Sequence, residues 1–181
     1  MKLLGAILAG GHSRRFGSDK AEALLEGRTL LAHVADALQA HCDAVILCGR
    51  TDREMDFLDD RPRPGLGPLG GLCAALAHGK AAGFTAVFSA PCDVPGLPPS
   101  LLARLLDAAG PAYVADLPVV GIWPCWLAGQ LHSWLDNNGD RSFRAWARAV
   151  SAVPVKFAPR LANINTPDDL TAFGQRHACL S

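Results

Sequence analysis

Residues 3–9 read Leu-Leu-Gly-Ala-Ile-Leu-Ala, an unbroken apolar run that stops at Gly10-Gly11. A run so short, and apolar at every position, offers no polar face to water. It suits a strand covered on both sides, the kind found in parallel sheets flanked by helices. Residues 44–48 (Ala-Val-Ile-Leu-Cys) and 86–89 (Ala-Val-Phe-Ser) repeat the pattern. Between them Leu30, Leu31, Val34 and Leu38 recur at helical spacing and predict a helix over 29–41. An Ala/Leu-rich helix is expected from Gly67 to about His78, another from Pro98-Pro99-Ser100, and a third over 142–150. Short strands are expected at 113–115, 119–123 and 154–157, and a last helix after Thr166-Pro167. This alternation predicts a three-layer α/β/α fold with a mainly parallel central sheet.

The N-terminal run leads into Arg14, Arg15 and Lys20 rather than a cleavage site, so it is read as a strand and not a secretory signal. No stretch approaches the roughly 18 apolar residues of a membrane span, and the expected location is the cytoplasm. With 181 residues, half of them hydrophobic and 19% charged, the chain is too apolar for a disordered one and is expected to form a single domain, 1–181. Lys plus Arg and Asp plus Glu are 17 each, without the basic excess of a nucleic-acid binder. An anionic ligand must then be held by a local site. The six cysteines contain no C-x-x-C pair and are read as reduced thiols, mostly buried.

In open α/β sheets ligands sit beyond the carboxyl ends of the strands. Segments 10–20, 49–71, 91–93 and 163–166 fall there. The first combines backbone-exposing glycines with Arg14, Arg15 and Lys20 against one Asp19. Backbone N–H groups, a guanidinium fork and an ammonium together suit a polyphosphate. The segment is neither a P-loop, since Gly17 is followed by Ser18-Asp19, nor a G-x-G-x-x-G fingerprint. Asp93, in Ala90-Pro91-Cys92-Asp93-Val94-Pro95, ends a strand and can anchor Mg²⁺, which needs only one or two protein carboxylates beside phosphate oxygens. A turn or capping aspartate is the alternative. Asn163 and Asn165 alternate, so in extended chain they would face one way; Thr166 and Asp169 have the spacing of a capping box. No H-x-x-x-H or H-E-x-x-H pair exists, and Ser13 has no evident His partner.

The string L-A-G-G-x-S-x-R-x-G-x-D-K over residues 8–20 resembles the signature of nucleotidyltransferases with a Rossmann-like, glycosyltransferase-A-type fold. Within them it is most similar to the molybdenum cofactor guanylyltransferases, which transfer GMP from GTP to molybdopterin and release pyrophosphate. Related cytidylyltransferases often read L-A-A-G. P-C-D-x-P at 91–95, G-P-L-x-G at 67–71 and N-x-N-T-P at 163–167 extend the resemblance. It implies Asp93 as the Mg²⁺ ligand, Arg15 and Lys20 on the departing phosphates, and Leu8, Ala9, Gly10 and Gly11 as backbone contacts to the nucleotide. It implies Asp60, or its neighbour Asp59, as the carboxylate that accepts the N1–H and 2-amino hydrogens of guanine. Asn163 and Asn165 would bind the acceptor, and Arg141 would meet a phosphate or lie on the surface. Implied partners are GTP, molybdopterin and proteins that deliver or receive the cofactor, with no nucleic acid and no membrane. Phe16 stands where the family usually has Met, and Leu47-Cys48-Gly49-Arg50 lacks a nucleotide-contacting Asn usual there. Alternatives are a nucleotidyltransferase for CTP or a sugar-phosphate acceptor, and a non-catalytic nucleotide- or cofactor-binding protein.

Overall fold

The first strand, β1 (Leu3–Leu8), is buried at all six positions. Its alternate side chains enter two different cores: Leu3 and Ile7 one, Leu4, Ala6 and Leu8 the other. A strand apolar on both faces thus becomes the middle layer of three. The computed structural model describes residues 1–10, 20–52, 54–137, 140–158 and 160–178. After β1, a small hairpin, β2 (Leu24–Leu25) and β3 (Arg28–Thr29), turns through Glu26-Gly27, both at positive φ. Helix α1 (Leu30–Gln39) follows, its first turn capped by Thr29, whose hydroxyl accepts from Ala32 N–H at 3.1 Å.

The main sheet continues with β4 (Ala44–Cys48), β5 (Phe57–Leu58) and β6 (Ala86–Pro91), the last two separated by α2 (Pro68–Ala81). Next come α3 (Pro99–Leu106), β7 (Ala112–Val114), β8 (Leu117–Pro124), α4 (Ala128–Asn137), α5 (Phe143–Ala149), β9 (Val153–Val155) and α6 (Pro167–Ala178). Seven strands order as β5-β4-β1-β6-β8-β7-β9. β1 pairs in parallel with β4 and β6; β8 runs antiparallel to β6 and β7. The expected α/β class, three layers and mainly parallel sheet are all present.

Helices α1 and α3 pack on one face through Val34, Leu38, Leu101 and Leu105. Helices α2, α4 and α5 pack on the other through Leu72, Leu76, Leu131, Leu135 and Trp146. α2 is buried almost all round, which is why its sequence is Ala, Gly and Leu without a polar stripe. A third, smaller cluster of Leu25, Leu30, Ile164 and Phe173 fastens the C-terminal segment beside the hairpin.

Strands β4 and β6 lie on opposite sides of β1, and the connections into them, α1 and α2, cross opposite faces. The strand order therefore reverses at β1, and a crevice opens at its carboxyl end. Leu8 is paired with Pro91, so the chain leaves β1 and β6 side by side.

The expected elements recur with ends shifted by a few residues. β5, the hairpin and α4 are additions: residues 51–64 read as charged and Pro-rich, and α4 follows β8 after only a three-residue 3-10 turn, Cys125–Leu127. Cys42, Cys48, Cys73, Cys92 and Cys125 are free thiols, as expected; Cys179 lies outside the described residues. Burial pushes the Cys48 thiol up to about 12, so it is packing and not a nucleophile. No helix among the described residues is long and apolar enough to cross a membrane.

Candidate active site at the carboxyl edge of the sheet

Two corners form beyond the ends of β1 and β6. The first is built from β1, β4 and the segment before α2. Ala9 N–H donates to the Cys48 carbonyl at 2.9 Å, extending the parallel pairing past both strands, and Gly49 N–H donates to the Leu58 carbonyl at 3.0 Å. Gly10 and Gly49 then lie backbone against backbone. Gly49 adopts φ +83, and a Cβ there would stand 2.7 Å from the Gly10 Cα. No side chain fits between these loops. The position where the resemblance leads one to look for an Asn is, in this chain, a glycine required by close approach.

Asp60 stands over this glycine floor. Its Oδ1 would be 3.2 Å from a Cβ on Gly49 and 3.7 Å from one on Gly10 or Gly71. The carboxylate accepts backbone N–H bonds from Leu66, Gly67 and Gly65, while Oδ1 is enclosed without a partner among the described residues. Burial pushes the Asp60 carboxyl above its ordinary value; the backbone donors of Leu66, Gly67 and Gly65 oppose that, and nearby Asp59 adds to it. Asp59 itself is exposed. Of the two candidate carboxylates, Asp60 is the one enclosed by donors, with an oxygen left over for a ligand's N–H.

The Asp60 segment is tied to the opposite side of the molecule. Arg61 N–H donates to the Gly70 carbonyl at 3.2 Å. Arg63 Nη1 meets Asp136 Oδ1 of α4 at 3.2 Å, and Arg141 Nη1 donates to the Gly65 carbonyl at 3.1 Å. Arg141 is therefore neither an idle surface arginine nor directed at a phosphate here.

The second corner joins the turn after β6 to the segment before α6. Ile164 N–H donates to the Asp93 carbonyl at 2.9 Å, which sets Asn163 beside the half-buried Asp93. The two asparagines are not equivalent. Asn163 is half-buried, and its Oδ1 is enclosed without a partner among the described residues. Asn165 is exposed, and its amide donates to the Asn163 carbonyl at 3.4 Å. The capping box is present: Thr166 Oγ1 accepts from Asp169 N–H at 3.1 Å, and Asp169 Oδ2 accepts from Thr166 N–H and Asn165 N–H, both at 2.9 Å.

Between the corners runs the glycine-rich basic segment. Its Gly11, Ser13, Arg14, Arg15 and Asp19 lie outside the described residues, whereas Lys20 opens a single 3-10 turn, Lys20–Glu22. That turn is held by an ion pair between Glu22 and Arg50, 2.9 Å, from the loop after β4. Sequence reasoning missed this pair, the Arg63 and Arg141 ties and the role of Gly49. Only the last had a signal, a glycine placed directly after a buried strand.

Among the described residues no group of three His, Cys, Asp or Glu side chains is arranged to hold a metal ion. A single half-buried carboxylate at a strand end fits the needs of Mg²⁺, which completes its shell with water and phosphate oxygens.

Residues 5–153 match the family described as the MobA-like NTP transferase domain. The chain belongs to that family. A molybdenum cofactor guanylyltransferase of Rhizobium leguminosarum bv. trifolii is 34% identical over 93% of this chain and 90% of its own. One of Acidiphilium cryptum is 35% identical over 94% and 93%. Among solved structures, molybdopterin-guanine dinucleotide biosynthesis protein A of Archaeoglobus fulgidus superposes with a TM-score of 0.75 at 23% identity, covering 99% of this chain and 100% of that one. The 2-C-methyl-D-erythritol 4-phosphate cytidylyltransferase of Thermus thermophilus follows at 0.67 and 18%, with 98% of each chain covered. The MobA-like fold thus serves proteins named for different nucleotides and acceptors. What this member does rests on its own corners and on the relatives that share a third of its sequence.

Proposed function

We propose that this MobA-like transferase moves GMP from GTP to molybdopterin, with residues 1–181 acting as one nucleotidyltransferase domain. The observation that carries the guanine reading is Asp60: a carboxylate enclosed by backbone donors, with Oδ1 unpartnered above a floor without side chains. Guanine presents N1–H and a 2-amino group to such an acceptor, and adenine presents no such pair. Leu8, Ala9, Gly10 and Gly11 supply backbone contacts to the nucleotide. Kinship with relatives named guanylyltransferase supports the same reading.

The acceptor's terminal phosphate is already anionic and needs no strong base. One of its oxygens forms a bond to the α-phosphorus of GTP, the bond from that phosphorus to the β-bridging oxygen breaks, and pyrophosphate carries away the electron pair. Catalysis is then positioning and charge neutralisation. Lys20 and Arg15 neutralise the β and γ phosphates. Asp93 holds Mg²⁺, which when bound screens phosphate charge and polarises the reacting phosphoryl group. Asn163 and Asn165 orient the acceptor beside Asp93. The partners are GTP, molybdopterin and proteins that deliver or take up the cofactor, and the setting is the cytoplasm.

The test is thermal stabilisation by GTP, CTP, ATP and UTP, each with and without Mg²⁺, followed by transfer to molybdopterin. A ligand at 100 times its Kd adds about 2.7 kcal/mol, a shift readily seen in Tm. Stabilisation by GTP alone, strengthened by Mg²⁺, with pyrophosphate released only when molybdopterin is added, is the expected result. A preference for CTP would transfer the assignment to a cytidylyltransferase.

A further inference from the structure

We infer that Arg141 is a specificity-determining positioning residue: it fixes, through the Gly65–Leu66 peptide, the carboxylate that reads the base. The inference rests on the guanine reading of Asp60 and deepens it. The Gly65 carbonyl and the Leu66 N–H belong to one planar peptide unit. Arg141 Nη1 holds the carbonyl end at 3.1 Å, and Asp60 accepts from the N–H end. A cation on a carbonyl oxygen draws electron density across the amide and strengthens the hydrogen bond made by its N–H. It also sets the rotation of that plane, which matters because Gly65 at φ +76 flanks it with little conformational restraint of its own.

The arginine is aimed by a built corner. Trp134 Nε1 of α4 donates to the Asp140 carbonyl at 3.2 Å. Asp140 Oδ1 accepts from Ser142 N–H at 2.8 Å, and Ser142 caps α5 by accepting from Ala145 N–H at 3.2 Å. Residue 141 is thus held between two fixed neighbours. The Arg63–Asp136 pair braces the same loop, but both side chains are about half exposed, so it contributes little by itself.

The experiment compares GTP with ITP, which lacks the 2-amino group, in transfer to molybdopterin by the full chain. Asp60→Asn is the reference variant, since its side chain keeps the shape and an acceptor for the loop's N–H groups. Arg141→Ala is expected to raise KM for GTP roughly five- to tenfold with kcat within about twofold, and to shrink the GTP/ITP ratio of kcat/KM in the direction of Asp60→Asn. Arg141→Lys should recover part of both, because an ammonium can still donate to the Gly65 carbonyl. In the Asp60→Asn background Arg141→Ala should change the ratio no further. If Asp60→Asn collapses the ratio but Arg141→Ala leaves it at the wild-type value, the positioning role is wrong and the base reader stands. A rise in KM for molybdopterin instead of GTP would place Arg141 on the acceptor and overturn the inference. An unchanged ratio in Asp60→Asn removes both readings. If Arg141→Ala fails to fold, the Lys variant still decides, since loss of discrimination equal to Asp60→Asn would show that charge alone is not what fixes the loop.

Discussion

The two corners of the site solve different problems. Around Asp60 the chain is packed backbone against backbone, three N–H groups converge on one carboxylate, and arginines from across the molecule tie the loop down. Around Asp93 a single main-chain bond, Ile164 to Asp93, joins two segments, and the polar side chains beyond it are half-buried or exposed. Telling one purine from another depends on a hydrogen-bond donor or two, so the acceptor that reads them must be fixed to within a fraction of an ångström. Bringing a phosphate to a phosphate depends chiefly on charge, which tolerates a more open setting.

Removing the charge at the open corner has the largest effect. Asp93→Ala should lower turnover about 10³-fold or more while leaving Tm nearly unchanged, as read by pyrophosphate release and a melting curve. Ordinary turnover would strip that corner of its metal. At the packed corner the damage should appear in folding. Gly49→Ala meets both an unfavourable φ and the Gly10 backbone, and should cost roughly 2–4 kcal/mol in urea unfolding. A neutral result would mean the two loops part easily, and the contrast between corners would fail. Asn163→Ala should raise KM for molybdopterin about tenfold and leave KM for GTP alone. A matching rise for GTP would merge the corners into one.

The smallest effect concerns protons. The Asp60 carboxyl sits above its ordinary value because it is buried, and guanine's donors need it ionised. As pH falls, it should protonate before an ordinary aspartate would, so KM for GTP should rise a few-fold on the acid side, a rise absent in Asp60→Asn. The linked stability has the opposite sense. The folded state holds this proton more tightly than the unfolded chain, so the contribution of Asp60 favours folding at acid pH and is lost as pH rises through the folded-state value.

How legible this was in the sequence differs between the corners too. β1, β4 and the end of β6 could be read because a buried parallel strand has to be apolar at every position, and the glycines and Asp93 stand directly after such strands. Asp60 stood out only by its distance from a glycine string, and its exposed neighbour Asp59 was an equal rival until the fold turned one inward. The Arg141 tie was invisible: its partner is a main-chain carbonyl 76 positions away, and backbone atoms leave no mark on composition. Helix α4 went unread because it starts without a capping side chain, straight out of a 3-10 turn. The alternation of Asn163 and Asn165 suggested one shared direction, but Asn165 is turned aside by the helix cap that Asp169 builds on its N–H.

The bond from Ile164 N–H to the Asp93 carbonyl has a consequence for inheritance. It is made entirely by main-chain atoms, so it asks nothing of the residues on either side of it. The stretch that meets the acceptor can therefore change its side chains over generations without dislodging the carboxylate next to it. A lineage can keep one nucleotide-activating apparatus and try new recipients against it, one substitution at a time.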